Sequence, residues 1–233
     1  MGMDSIEILM KVEDTFGIKI PNREAEKILT VGDFHDAVWR HLSGRYSERC
    51  KSQGLFYKLR KSIAETFNFS PQQLRLDTSP NEVFPQQSRR QAYLAFAQST
   101  NLKLPTLALT RPWATLLNTF GLLTILGGLA VSVILINFFD YSKWTLVIPV
   151  LGIALTMLLS NLLEPKRTDI KAPTIKDFTE HILALNYADL LTAQGANRRE
   201  IEIVVNHIIS DMAGLDLEEI TPEKKIADDL GID

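Results

Sequence analysis

Ser5, near the start of the chain, is a residue at which the backbone would stabilise a phosphate ester. It follows Asp4 and opens a segment whose apolar residues have helical spacing, so we predict that Ser5 caps the N-terminus of a helix. The first amides of a helix and its dipole stabilise an anion at that end. A phosphodiester on the Ser5 hydroxyl is the chemistry that this position favours, and an ordinary capping serine is the alternative.

The residues around Ser5 predict only part of a helical domain. Residues 1–42, here called the head, predict a first helix that Gly17 ends, a short polar helix, and a last helix capped by Thr30. The apolar stripe of the first helix consists of Ile8, Leu9, Val12 and Phe16. Two long helices and a short one bury too little surface to form a core alone.

The tail, residues 198–233, supplies another amphipathic helix. Six of its apolar residues recur at i, i+3, i+4, i+7, i+8 and i+11, which is the spacing of one helix face. They are Ile201, Val204, Val205, Ile208, Ile209 and Met212. Gly214 is expected to end this helix, and a long loop then leads to the sequence IADDLGID at residues 226–233.

Written tail before head, these segments resemble one acyl carrier protein domain: an amphipathic helix, a long loop, Asp-Asp-Leu-Gly-x-Asp, and then the modified serine. The resemblance implies an all-α four-helix bundle that is circularly permuted and assembled from both chain ends. It implies that Ser5 carries 4'-phosphopantetheine, with Asp4 as its neighbour in the motif. It also implies that one side of the first head helix binds partners. The alternative is that the carboxylates on this side only form a solvated surface. That side comprises Ile6, Glu7, Met10 and Asp14.

The middle of the chain repeats parts of the head. NLKLP at residues 101–105 aligns with GIKIP at residues 17–21, and TIKDF at residues 174–178 aligns with TVGDF at residues 30–34. At the first of these offsets an arginine, Arg89, stands in place of the attachment serine. We therefore predict a second, degenerate carrier-like helical domain.

Two uncharged stretches, residues 112–139 and 144–163, divide that degenerate domain. A helix crosses the bilayer core with about 20 residues, so we predict a two-helix transmembrane hairpin. Cations cluster at its outer ends, with one in the connecting turn: Arg111, Lys166, Arg167 and Lys171 outside, and Lys143 within the turn. The positive-inside rule then places both termini in the cytoplasm. We expect the membrane to be a bacterial inner membrane. A buried helical hairpin of a soluble protein is the alternative.

The predicted organisation follows from these segments. In chain order it comprises residues 1–42 (C-terminal half of the carrier domain), 43–54 (linker), 55–110 (first part of the degenerate domain), 111–167 (hairpin, with spans at about 114–139 and 144–163), 168–192 (last degenerate helix) and 198–233 (N-terminal half of the carrier domain).

Charge is distributed along the same divisions. The head carries 8 acidic and 5 basic residues and the tail 10 and 4, whereas the remaining residues carry 16 basic and 10 acidic ones. We interpret the basic middle as attracted to anionic lipid headgroups. The acidic ends offer a binding surface to basic partners.

The function implied by the resemblance is that of a membrane-anchored acyl carrier protein, which is not an enzyme. Such a carrier holds acyl intermediates as thioesters on the Ser5-linked arm during fatty-acid, lipid or secondary-metabolite synthesis. Its expected partners are a phosphopantetheinyl transferase, acyl-transferring or acyl-activating enzymes, and the lipid bilayer. The tail can close on its own head or, in a domain-swapped head-to-tail homo-oligomer, on a neighbour's. The other hypothesis is an unmodified membrane scaffold or regulatory protein that binds partners through its carrier-like bundles.

Patterns typical of catalysis or metal binding do not occur in the sequence. It has no nucleotide-binding loop, no Ser-His-Asp set, and a single cysteine, Cys50, which is typical of a reducing cytoplasm. The four histidines share no metal-ligand spacing: His35, His41, His181 and His207. We predict no catalytic residue, no metal site and no nucleic-acid partner.

Overall fold

The computed structural model describes residues 3–45, 50–67, 69–191 and 196–232, and over these residues the chain is all-α, which confirms the predicted fold class. Its helices and strands, in chain order, are α1 (Met3–Phe16), α2 (Asn22–Ala25), α3 (Val31–Leu42), α4 (Lys51–Phe67), α5 (Pro80–Val83), α6 (Arg89–Thr100), β1 (Ala108–Leu109), α7 (Arg111–Phe138), α8 (Val147–Leu162), β2 (Arg167–Asp169), α9 (Ile175–Leu191) and α10 (Arg198–Ala213). The two short strands pair in antiparallel orientation.

The chain divides into two compact units. Residues 1–84, 94–105 and 172–233 form the first, called the bundle unit, and residues 85–93 and 106–171 form the second, called the hairpin unit. The head, the tail and most of the predicted degenerate domain therefore belong to one unit. The borders predicted between the carrier domain and the degenerate domain therefore do not coincide with the border between the two units.

In the bundle unit, the tail helix α10 packs against α1 and α3 of the head. Gly214 ends α10 as predicted, with a φ of +70°, the left-handed conformation that glycine adopts without strain. The apolar stripe predicted for this helix is buried except at Met212. Burying one large aliphatic side chain contributes about 1.5–3 kcal/mol, so the tail supplies the core that the head alone lacks.

Helix α9 lies at the centre of the bundle unit, where it packs against α1, α4 and α10. Its buried side chains include Ile175, Phe178, Ile182, Leu183 and Tyr187. The Tyr187 ring lies against Phe16 of α1, with 5.2 Å between the ring centroids. A helix from the predicted degenerate domain therefore completes the core around the head.

Helix α4 begins at Lys51, within the predicted linker, and not at Leu55 as its apolar spacing indicates. The cause is a distant carboxylate. Glu200 of α10 accepts hydrogen bonds from the backbone amides of Lys51 and Ser52, which caps the first turn of α4. Residues 46–49 of the predicted linker lie outside the described part of the chain.

The repeat predicted from the sequence recurs in the backbone geometry. The residues that follow α1 and α6 both have a positive φ, 61° at Gly17 and 53° at Asn101. Thr30 before α3 and Thr174 before α9 each accept a hydrogen bond from the amide three residues later. Two helix ends and two helix starts are thus built alike, because the same capping chemistry stands at both places.

In the hairpin unit, α7 and α8 pack through small residues. A Cβ atom added to Gly152 would lie 2.9 Å from the carbonyl oxygen of Thr124, so glycine is required for this approach. Gly128 likewise faces Pro149, whereas a Cβ atom added to Gly127 would meet no atom of the described residues within 4 Å. The segments Arg111–Phe138 and Lys143–Leu162 are long and apolar enough to cross a membrane, and few of their side chains are buried within the structure.

Candidate functional site

Ser5 lies within the first turn of α1, because that helix begins at Met3. The prediction that Ser5 is the helix N-cap is therefore wrong. An acidic residue in the first turn, Asp4, interacts favourably with the helix dipole and is compatible with this earlier start. Ser5 is only 5% exposed, whereas Asp4 before it is exposed.

A cavity of about 160 Å³, here called the cavity beside Ser5, adjoins Asp4 and Ile8 of α1, whereas Ser5 is not among its lining residues. Residues of both chain ends line it. The head contributes Asp4, Glu7 and Ile8, and the tail contributes Met212, Ala213, Leu230, Gly231 and Ile232. Gly231 has a φ of +66°, and the side chains before and after it are buried. The tail motif that the sequence singled out thus lies next to Asp4, the residue before the candidate attachment serine.

Main-chain hydrogen bonds hold the tail loop against the start of α3. The amide of Val31 donates to the carbonyl of Lys224 at 3.0 Å, and the amide of Gly32 donates to the carbonyl of Pro222 at 2.9 Å. In the reverse direction, the amide of Ile226 donates to the carbonyl of head residue Leu29 at 3.0 Å. The head therefore uses otherwise unpaired helix-start amides to bind the tail.

The same arrangement occurs at the start of α9. The amides of Ile175 and Lys176 donate to the carbonyls of Thr78 and Leu76, at 2.8 and 3.0 Å. There the accepting loop precedes its helix in the chain, whereas at α3 the accepting loop belongs to the tail. The two loops make equivalent contacts with equivalent helices in opposite chain order.

Side chains add polar contacts between head and tail. His35 on α3 hydrogen-bonds to Asn206 on α10 at 2.8 Å, and burial lowers the pKa of His35, so its neutral form is favoured. Arg198 at the start of α10 forms an ion pair with Asp36 at 2.6 Å. Within the tail loop, Lys225 donates a hydrogen bond from its Nζ to Asp228, and this bond raises the pKa of Lys225.

Gly32→Ala is expected to weaken the docking of the tail by about 1–3 kcal/mol, because the added methyl group overpacks the contact. An ideal Cβ at this position lies 3.0 Å from the same Pro222 carbonyl oxygen that accepts from the Gly32 amide, so relief of the clash strains that hydrogen bond. The measurement is a urea titration of the full chain in detergent micelles, followed by circular dichroism. Gly44→Ala is the control, since a Cβ added there meets no atom of the described residues within 4 Å. Equal midpoints for the two variants would contradict this prediction.

The residues predicted to face partners all lie on the surface of α1. Ile6 and Met10 are 43% and 50% exposed, and Glu7 and Asp14 are exposed carboxylates. The neighbouring Glu13 is buried instead, and it accepts a hydrogen bond from the amide of Ile20 at 2.6 Å. Glu13 is not one of the carboxylates that the sequence predicted to face partners.

A second groove, of about 230 Å³, was not predicted from the sequence. It is lined by α1, α9 and α10 together with Lys103; its apolar members are Ala184, Leu185, Ala188, Ile208 and Met212, and its polar ones Lys11, Asp14, Thr15, Lys103 and Asp211. Since α9 comes from a different part of the sequence than α1 and α10, no local pattern signals it. Met212 lines both this groove and the cavity beside Ser5.

The histidines do not assemble a metal site among the described residues, where no group of three or more His, Cys, Asp or Glu side chains could hold an ion. His181 and His207 stack with ring centroids 4.7 Å apart, and His181 pairs with Asp211 at 3.0 Å. Burial, and secondarily the neighbouring His181, lower the pKa of His207 to about 4. His207 is therefore neutral at pH 7.

Comparison with known proteins identifies a carrier-like segment. The chain is 47% identical over 37 residues to an acyl carrier protein of Thermosynechococcus vestitus and 46% identical over 40 residues to one of Rubrobacter xylanophilus. These matches cover 16% and 17% of this chain and 46% and 49% of the relatives. The chain therefore spans about half the length of the curated relatives it matches. No protein-family model and no solved structure matches the chain.

Proposed function

We propose that this protein is a membrane-anchored acyl carrier whose carrier domain is circularly permuted, with Ser5 as the attachment residue for 4'-phosphopantetheine. The observation that carries the proposal is the docking of the tail beside Ser5. The cavity there is lined from both chain ends, and the main-chain bonds of the tail loop to α3 match those that the preceding loop makes to α9.

The lengths of the matches support permutation. An alignment that keeps chain order can include only one half of a relative when the two halves stand at opposite ends of this chain. Each match covers about half of the acyl carrier protein. In the predicted degenerate domain, the accepting loop comes before its helix α9 in the chain. In the carrier domain, the equivalent loop comes after its helix α3, and this reversed order is what permutation predicts.

The environment of Ser5 fits a phosphodiester in one respect and opposes it in another. The N-terminal turn of α1 favours an anion, and a cavity adjoins the preceding residue, Asp4. The 5% exposure of Ser5 means that its hydroxyl becomes accessible only when this first turn opens. Helix ends open with little cost in free energy. When attached, the arm supplies the thiol that carries an acyl group as a thioester.

The exposed side of α1 would bind the enzymes that load and use the carrier. Ile6 and Met10 provide an apolar contact area next to the attachment turn, and Glu7 and Asp14 provide negative charge for a basic partner. In this proposal the chain itself catalyses no reaction. Its residues position the arm and the transferase, and the acyl-transferring or acyl-activating enzymes of fatty-acid, lipid or secondary-metabolite synthesis perform the chemistry.

The hairpin unit would anchor the carrier in a bacterial inner membrane. Its two long helices expose apolar side chains along most of their length, for which lipid is the matching environment. Cations at the outer ends of the hairpin favour a topology with both termini in the cytoplasm. Acyl cargo would then stay close to membrane-bound enzymes.

The proposal is tested by intact-mass measurement of the full chain after co-expression with a phosphopantetheinyl transferase. We expect one phosphopantetheine adduct on the wild-type chain and none on Ser5→Ala. Ser43→Ala, which changes an exposed serine directly after the head, should keep the adduct. Absence of an adduct on the wild-type chain, or its persistence in Ser5→Ala, contradicts the assignment of Ser5.

The burial of Ser5 favours a second function, that of an unmodified membrane scaffold or regulatory protein. In that case the exposed side of α1 would still bind partners, but no transferase would open the first turn. An unmodified wild-type chain that retains partner binding, lost on substitution of Ile6 and Met10 by serine, would establish this alternative.

A further inference from the structure

We propose that one end of the hairpin unit, here called the hairpin base, binds the headgroup of an anionic phospholipid. The base comprises residues 85–93, 106–111 and 164–171, all within the hairpin unit. It contains six cations and only two carboxylates: Arg89, Arg90, Arg111, Lys166, Arg167 and Lys171 against Glu164 and Asp169. The inference rests on the membrane insertion proposed above and adds a lipid class and a site to it.

The structure brings together cations that are far apart in the sequence. Arg90 forms an ion pair with Glu164 at 2.8 Å and also donates to the Glu164 backbone carbonyl. Arg89 donates to the carbonyl of Thr168 at 3.4 Å. Pairing of β1 with β2 places Leu109 opposite Arg167, and Leu109 lies two residues before Arg111 in the chain. Three separate segments therefore contribute positive charge to one base.

The position of the cations relative to the apolar helices indicates a lipid as the source of the anion. The guanidinium of Arg167 donates to the Ser160 hydroxyl of α8 at 3.1 Å, so it lies along the last turn of this helix. Lys166 lies 5.8 Å from the ring centroid of Trp113, in the first turn of α7. Tryptophan and cations at helix ends mark the depth of lipid headgroups in a membrane. A phosphate at this depth belongs to a phospholipid.

The groups at the base are suited to phosphate. Guanidinium groups bind phosphate oxygens through two parallel hydrogen bonds, and the ammonium of Lys166 adds a point charge. Glu164, which is paired with Arg90, is 64% exposed, and an exposed ion pair contributes little free energy. A phosphate can therefore replace Glu164 as the partner of Arg90 without unfolding the base.

The test is native mass spectrometry of the full chain from detergent micelles, titrated with phosphatidylglycerol, phosphatidylcholine or inorganic phosphate. We expect at least tenfold tighter binding of phosphatidylglycerol than of phosphatidylcholine. Arg90→Gln/Arg167→Gln should weaken phosphatidylglycerol binding about 30-fold, because each cation near a membrane surface contributes roughly a factor of five. Lys166→Gln/Lys171→Gln removes two exposed cations and should give a similar loss, which guards against a folding defect of the first variant.

Lys27→Gln/Lys61→Gln is the matched control, since it removes two exposed lysines of the bundle unit and changes the net charge equally. It should leave phosphatidylglycerol binding within threefold of wild type. Equal binding of the two lipids, full binding by both base variants, or competition by inorganic phosphate at the lipid's concentration would overturn the lipid assignment. Extraction of the wild-type chain from membranes by alkaline carbonate would instead overturn membrane insertion itself.

Discussion

Glu200→Gln is expected to lower the free energy of unfolding of the bundle unit by about 3–5 kcal/mol, because it removes one charge of a buried ion pair. The Lys51 and Glu200 side chains are 3% and 2% exposed, and their charged atoms lie 3.5 Å apart. The Lys51 ammonium also lies 5.4 Å from the ring centroid of Tyr187. Glutamine keeps a side-chain oxygen that can accept from the first amides of α4, so this change isolates the charge from the cap.

The measurement is the urea midpoint of the full chain in detergent micelles, followed by circular dichroism. Glu202→Gln is the control, because Glu202 lies on the same helix in an exposed pair with Arg198 and should change stability by about 0.5 kcal/mol or less. Lys51→Met/Glu200→Gln removes both charges and should recover most of the loss. Similar midpoints for Glu200→Gln and Glu202→Gln would refute the role of the buried pair.

This pair also shows where sequence reasoning ended. The apolar spacing of α4 predicts a start at Leu55, but the helix starts at Lys51 because its N-terminal cap is supplied by a residue on α10. A cap within the same segment can be recognised from sequence, as at Thr30 and Thr174. A carboxylate supplied by tertiary contact carries no local signal.

The part of the candidate site that belongs to a sequence motif could be predicted. The tail sequence at 226–233 and the head serine indicated that the two ends meet, and the structure places Leu230 and Ile232 at the cavity beside Ser5. The burial of Ser5 was not predictable, because helical spacing does not fix how far a helix extends before its first apolar residue. The groove between α1 and α9 was missed for a different reason, since two carrier-like sets that look separate in sequence pack into one unit.

Phe16→Ala is expected to destabilise the bundle unit by about 3–5 kcal/mol, the usual cost of removing a fully buried aromatic ring. Phe16 is 1% exposed and contacts Tyr187 of α9, which is fully buried. A head and tail that folded as an independent carrier domain would not use α9. The size of this loss therefore measures how far the carrier depends on a helix from the degenerate set.

The comparison that decides this point uses two further variants. Met10→Ala changes a half-exposed residue of α1 and should cost about 0.5 kcal/mol or less, as expected for a surface substitution. Tyr187→Phe keeps the ring on α9 and should preserve the contact with Phe16, whereas Tyr187→Ala should match Phe16→Ala. A small effect of Tyr187→Ala beside a large effect of Phe16→Ala would show that α1 packs mainly on α10. Equal losses for Tyr187→Ala and Phe16→Ala would mean that α1, which carries Ser5, is supported both by the tail and by α9 of the degenerate domain. Separation of the degenerate domain from the head and tail would then weaken the candidate site as well.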